Sequence, residues 1–371
     1  ENRVYEFTHG EHNDSYPFWS PDGKYIVFRS DRDKEKKGLW IIPVSGGEGR
    51  PLITDKGAIG EYIWSPDSKY IFYTYRKMDD PLPLSHISND PEYKIKDEDC
   101  PYNIIDEIPY KGKNGSIKAK GKFHIYMVEI DTGKKQQLTK DKYDDYGIAI
   151  SSDGKKLAFC SNRSADPMRD YENNDIYVLD LKTKKIKKIT SKWGSKSALI
   201  WSQKGDYIYF TGHHAPRGKS AAEDLKIYKI SSDGGETVLL TKDFDGFVSN
   251  MLIGDTREFD DIVQPCLFID NGKNLIFCAS YQGGCYLYKV SIEGGKPERI
   301  DEGEHEVVYY SLDKSGENMA VLRGDMLSPC EIYHYKKKKS AWIVKQVTSY
   351  NDFIVKETTA AHPEEIWLTT G

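Results

Sequence analysis

An all-β fold of repeated four-stranded antiparallel units is predicted for this chain, on three observations. First, a turn motif recurs: "FWSPDGKYIVFRSDRD" over residues 18–33 returns as "IWSPDSKYIFYTYRK" over 63–77. Second, each copy is followed by another hairpin signature, first seen in "LWIIPVSGGEGRPLIT" over 39–54. Third, apolar runs rich in aromatic and β-branched residues flank both turns, which is the pattern of paired strands rather than helices. Two hairpins make one four-stranded module. Its spacing of about 45–50 residues is that of a β-propeller blade.

The first signature recurs in weaker copies at 149–163 ("AISSDGKKLAFCSNR"), 200–214 ("IWSQKGDYIYFTGHH"), 267–281 ("LFIDNGKNLIFCASY") and 310–325 ("YSLDKSGENMAVLRGD"). Gly23, Gly154, Gly205, Gly272 and Gly316 stand at its turn. Glycine suits a position with positive φ because it has no Cβ to clash there. The second signature recurs at 124–139, 175–190, 226–241 and 285–300. The basic run Lys336 to Lys339 reads as a solvated hairpin turn between two further strands.

These repeats divide the 371 residues into a single β-propeller domain of seven blades. Six are complete: 16–54, 61–139 with an insertion at 78–121, 146–190, 198–241, 264–300 and 308–348. The seventh combines residues 351–371 with 3–8, so that Ile366, Trp367 and Leu368 of "HPEEIWLTTG" form a buried strand. A blade cannot hide both its faces alone; stacking between neighbours does so.

With strands a to d counted outwards, the regular a–b and c–d turns share one face of the disc. The irregular length falls on the other, at 78–121, 164–174, 213–224 and 244–261. Long loops on a rigid scaffold commonly carry function, so this face is the expected functional one.

Composition excludes several roles. A net charge of −5 and pI near 6.1 argue against nucleic acid or an anionic membrane as partner. No apolar stretch is long enough for a membrane helix, and no basic-then-apolar leader opens the sequence, so a cytoplasmic location is expected. The six cysteines form no C-x-x-C pair. Cys160 and Cys278 hold equivalent strand positions and read as buried thiols of a reducing compartment.

No G-x-S-x-G string exists. The segment Gly218-Lys219-Ser220 lacks both the strand-turn-helix setting of a nucleophile elbow and the glycine spacing of a phosphate loop. Catalysis by this chain alone, a cofactor and a metal site are therefore not expected. His213 and His214 are adjacent, with no third ligand evident, and read as surface-loop residues. Trp19, Trp64 and Trp201 read as packing between blades. The acidic residues Asp97, Glu98, Asp99, Asp106 and Glu107 lie in the longest insertion, beside Tyr102, Ile104, Ile105 and Tyr110.

The repeat "WSPDGKYIVFRSDRD…LWIIPVSGGEGRPLIT" resembles TolB-like and prolyl-oligopeptidase propellers. Residues 104–139 are similar to the second-blade region of acylaminoacyl-peptidase-type serine peptidases, and "HPEEIWLTTG" to the junction that precedes their α/β-hydrolase domain. The resemblance implies a propeller that caps a hydrolase domain in cis, absent from this sequence, and admits only short peptides. Asp106, Glu107 and Tyr110 are then the candidate substrate contacts, by position in the matching segment. Two other classes stay open: a stand-alone TolB-like interaction propeller, and a propeller lyase or glycosidase acting on acidic sugars.

Overall fold

The computed structural model describes residues 4–33, 36–77, 121–215, 217, 223–252, 264–357, 361 and 363–368. The chain divides into two compact units, 6–187 and 188–371, the latter with residues 1–5.

The first unit holds three four-stranded antiparallel sheets, each in simple sequential order. The first is β1 (Asp14–Trp19), β2 (Tyr25–Asp33), β3 (Lys36–Pro43) and β4 (Arg50–Ile53). The second is β5 (Gly57–Trp64), β6 (Tyr70–Lys77), β7 (His124–Glu129) and β8 (Lys135–Gln137). The third is β9 (Asp145–Ile150), β10 (Lys156–Ser161), β11 (Asp175–Asp180) and β12 (Ile186–Lys188).

Their cores lie between sheets, as the period-2 patterning requires. Along β6, Ile71, Tyr73 and Tyr75 pack with Val27, Leu39 and Ile41 of the preceding sheet. Phe72, on the opposite side, packs with Leu157, Phe159 and Leu179 of the following one. Each such fully buried side chain contributes about 1.5–3 kcal/mol, so a sheet gains most of its stability from its neighbours.

The second unit repeats the plan. Its first sheet is β13 (Lys196–Trp201), β14 (Tyr207–Gly212), β15 (Lys226–Ser231) and β16 (Val238–Leu239). The next contains β17 (Phe247–Val248), β18 (Leu267–Ile269), β19 (Asn274–Tyr281), β20 (Gly284–Ser291) and β21 (Glu298–Arg299). The last contains β22 (Glu306–Leu312), β23 (Asn318–Gly324), β24 (Glu331–Lys338) and β25 (Ala341–Gln346). A single parallel pairing, Cys285 with Glu306, joins these two sheets.

The turn motif has a common clip. Ser20 donates through Oγ to Asp22 at 2.6 Å and accepts the Tyr25 N–H at 2.9 Å. Ser65 with Asp67 and Ser151 with Asp153 repeat it. In the copy with Lys204 where the others have Asp, Ser202 donates to Asp206 instead, also at 2.6 Å. Four of the expected glycines, Gly23, Gly154, Gly205 and Gly316, have φ between 70° and 73°, and Ser68 takes that place in the second sheet at 61°.

Three expectations are corrected. Residues 247–248, expected within a long connection, pair with Ser280 and Ala279 of β19, so the first strand of that sheet is split into β17 and β18. Residues 352–357, expected as the inner strand of a seventh blade, form a short helix, α1 (Asp352–Glu357). Asn351 ties the chain to the start of β24, donating to the Glu331 carboxylate and the Cys330 carbonyl, and Asp352 faces Lys356 one turn on; both favour a turn over an extended run. Residues 4–8 and 363–368 are not strands either. Ile366, Trp367 and Leu368 are 75%, 70% and 82% exposed, because no strand among the described residues pairs with them. Among the described residues, no helix is long and apolar enough to cross a membrane.

Candidate functional site

Polar and aromatic groups gather along the first strands of the sheets in the 6–187 unit. A bulge interrupts each: between Ser15 and Phe18 in β1, between Ile59 and Tyr62 in β5, and opposite Ala158–Cys160 in β9. Bulges re-aim side chains out of the pleat; here they present Tyr16 and Glu61, and Tyr146 flanks the third. Gly60 and Gly147 fit the bulges because a Cβ at Gly60 would meet Thr74 Oγ1 at 2.2 Å, and Gly147 has φ +63° beside Cys160.

Glu61 is the centre of this group. Its carboxylate accepts from the backbone N–H groups of Gly147 and Ile148, and its own N–H donates to Thr74 Oγ1 at 3.1 Å. Burial pushes its carboxyl up to about 7, against the opposing pull of those N–H groups and of Arg29. It therefore exchanges its proton near neutrality. The Arg29 guanidinium lies 4.8 Å from the Tyr16 ring centre and 5.8 Å from that of Tyr62, and donates to the Gly60 carbonyl. Arg29 Nε is buried without a partner. Asn174, from the 164–174 insertion, donates to the Tyr146 hydroxyl at 2.8 Å, so one irregular loop is fastened to this group. A carboxyl, a guanidinium and phenols suit recognition of polar groups on a ligand; none of them is an activated nucleophile.

Two arginines clasp neighbouring elements in the same unit. Arg32 and Asp14 meet across β1 and β2 at 2.7 Å, and Arg163 and Asp145 meet across β9 and β10 at 3.0 Å. Arg163 also reaches Asp141 at 3.2 Å and lies 4.5 Å over the Tyr177 ring.

The expected site residues have mixed outcomes. Asp106, Glu107 and Tyr110 lie outside the described residues, as do Asp97, Glu98, Asp99 and Ser220. His213 and His214, expected at the surface, are drawn inside. His213 is buried, while His214 bonds Thr237 Oγ1 and packs 4.5 Å from the Tyr228 ring. Burial, with the charges of Lys196 and Lys192, lowers His214 to about 4. Trp64 and Trp201 are buried, with Trp64 Nε1 donating to the Phe18 carbonyl of the neighbouring sheet, whereas Trp19 is 59% exposed. Cys160 and Cys278 are buried free thiols, as expected. Sequence reasoning missed Glu61, Arg29, Arg32 and Arg163. The two clasps left one signal, the recurrence of an Arg 18 residues after an Asp in equivalent copies.

In the 188–371 unit, residues 302–305, Arg323, Gly324, Asp325, Ser328, Pro329 and Tyr333 line a cavity of about 100 Å³. That is below the ~300–1,000 Å³ of ligand pockets.

No family model matches the chain. It is 28% identical over 366 residues to an uncharacterized peptidase, YuxL, of Bacillus subtilis, covering 98% of this chain and 53% of that protein. Dipeptidyl-peptidase 5 of Porphyromonas endodontalis is 23% identical, with 98% of this chain and 50% of that protein covered. Among solved structures, the acylaminoacyl peptidase of Pyrococcus horikoshii superposes with a TM-score of 0.65 at 18% identity, over 93% of this chain and 47% of that one. The fold is that of the propeller region of such peptidases. The resemblance extends to the propeller region of prolyl endopeptidase, at a TM-score of 0.61. The chain spans about half the length of the curated relatives it matches.

Proposed function

We propose that this chain is the substrate-selecting propeller of a serine-type peptidase of the acylaminoacyl-peptidase kind, non-catalytic by itself. It would work in cis with an α/β-hydrolase domain encoded beyond Gly371, and admit short peptides to that domain while excluding folded proteins. The observation that carries this reading is the match of 98% of the chain, in one span, to about half of proteins named as peptidases. The insertion at 78–121 would screen peptides, with Asp106, Glu107 and Tyr110 as contacts. Glu61, at the β5 bulge, and Arg29 of β2 offer further polar groups on the same scaffold. Its free buried thiols fit a reducing, cytoplasmic location.

The test begins with the source gene. Within about 250 codons after Gly371, the size of a hydrolase domain, a G-x-S-x-G string and a later His are expected. The isolated chain should leave short peptides uncleaved, and the longer gene product should cleave them. A stop codon directly after Gly371 would overturn the proposal and favour a stand-alone interaction propeller.

A further inference from the structure

We propose that His124, Asp141 and Asp145 form a binding site for a divalent first-row transition-metal ion, of the zinc type. One ligand atom from each of the three lies within 4.8 Å of the others. They come from three places that the fold joins: the first residue of β7, the loop after β8, and the first residue of β9.

The independent observation is a pair of buried polar atoms with nothing to bond. The Asp145 side chain is 0% exposed, and its Oδ2 has no hydrogen-bond partner. His124 Nδ1 is also buried and without a partner, and the two atoms face each other at 3.9 Å. That distance is too long for a hydrogen bond, and buried unpaired groups are costly. An ion bonded to both at ~2.0–2.2 Å would satisfy them with a small closing movement.

Arg163 does not fill this role. Its Nε donates to Ser161 Oγ at 3.2 Å, while its two terminal nitrogens meet Asp141 and Asp145 Oδ1. It fixes the outer oxygen of the buried carboxylate and leaves the inner one aimed at His124. Hydrogen bonds of this kind orient ligating carboxylates in metal sites. Two carboxylates against one guanidinium leave a net negative charge for a cation to balance.

A repeat-equivalent place shows how the fold supplies positive charge there. β15 begins with Lys226, paired with Gly212 as His124 is paired with Tyr75. The Lys226 ammonium reaches into the following inter-sheet loop and donates to the carbonyls of Phe244 and Gly246 at 2.6 and 3.0 Å. In the second sheet a histidine replaces that fixed cation, and two carboxylates stand beside it. An imidazole nitrogen among the donors selects a transition ion over Mg²⁺ or Ca²⁺, which take oxygen ligands. The ion would fasten β7, the strand into which the 78–121 insertion returns, to β9 of the next sheet.

The experiment uses the 371-residue chain, stripped with a chelator and dialysed, with Zn²⁺ for stoichiometry and Co²⁺ as a visible-absorbing probe. One equivalent of Zn²⁺ per chain is expected, with a rise in Tm and Co²⁺ bands in the visible. His124→Gln and Asp141→Asn should each weaken binding by at least about tenfold while keeping the unliganded circular-dichroism spectrum. Both variants spare the Arg163–Asp145 clasp, so loss of binding is separable from unfolding. Absence of stoichiometric binding, or equal binding by both variants and the wild type, would overturn the site. A proton or a water would then join His124 to Asp145.

Discussion

The first and third sheets carry the same clasp, an Asp at the start of the first strand and an Arg 18 residues later. In the first, Arg32 engages both oxygens of Asp14, at 2.7 and 3.4 Å, and the pair is closed. Burial would raise the Asp14 carboxyl, but hydrogen bonds from Arg32, Ser30 and Thr8 outweigh it and hold it below the ordinary carboxylate range. In the third, Arg163 is divided between Asp145 and Asp141, and one buried oxygen remains open toward His124. One repeat thus uses the clasp for stability alone. The other, next to the strand that follows the longest insertion, shares its arginine with a second carboxylate, Asp141. Equivalent residues of a repeat can thus keep the same Asp–Arg geometry while their neighbours differ: only the third sheet adds Asp141 and faces its buried carboxylate to a histidine, where the proposed ion would sit.

The largest effect should come from breaking the clasps. Arg163→Met leaves a fully buried carboxylate unpaired and is expected to cost about 3–5 kcal/mol. Arg32→Met, beside an Asp14 that is 15% exposed, should cost less. Urea midpoints of the two variants give the comparison; a larger loss for Arg32→Met would reverse the assigned roles.

Next comes the pH dependence at Glu61. Its folded carboxyl sits near 7, above its ordinary value of 4.5, so the folded state holds the extra proton between those values. Its contribution is present below about 4.5 and is lost as pH rises through 7. Glu61→Gln, neutral at every pH, should match the wild type near pH 4 and be more stable than it at pH 8 by on the order of 1–3 kcal/mol, seen as a higher Tm there. A wild type and variant with parallel Tm-versus-pH curves would remove Glu61 from the titrating groups.

The smallest effect concerns the turn clip. Ser151→Ala removes the hydroxyl that donates to Asp153 and accepts the Lys156 N–H, and should cost about 1 kcal/mol in urea unfolding. No measurable change would mean that the recurring serine is a sequence habit rather than a fastener.

Much of the fold was legible because the turn chemistry is local. Ser20, Gly23 and their equivalents announce each hairpin within a few residues, and alternating apolar positions such as Ile71, Phe72 and Tyr73 assign both faces. What escaped depends on distant partners. Phe247 and Val248 are too short a run to reveal a strand without β19 beside them, and Ile366 to Leu368 look like a strand but have no partner among the described residues. Glu61 meets Gly147, and His124 meets Asp145, only after sheets stack. The local sequence around Glu61 or His124 names no such contact. The arginine spacing was readable from stacked repeats, since Arg32 and Arg163 hold the same place.

The central claim, that this propeller selects peptides for a hydrolase domain, is tested most directly on the longer gene product. Cleavage of one short and one long peptide sharing the same scissile sequence is measured with and without residues 78–121. Selection by the propeller predicts that the deletion raises long-peptide cleavage relative to short. An unchanged ratio would contradict it.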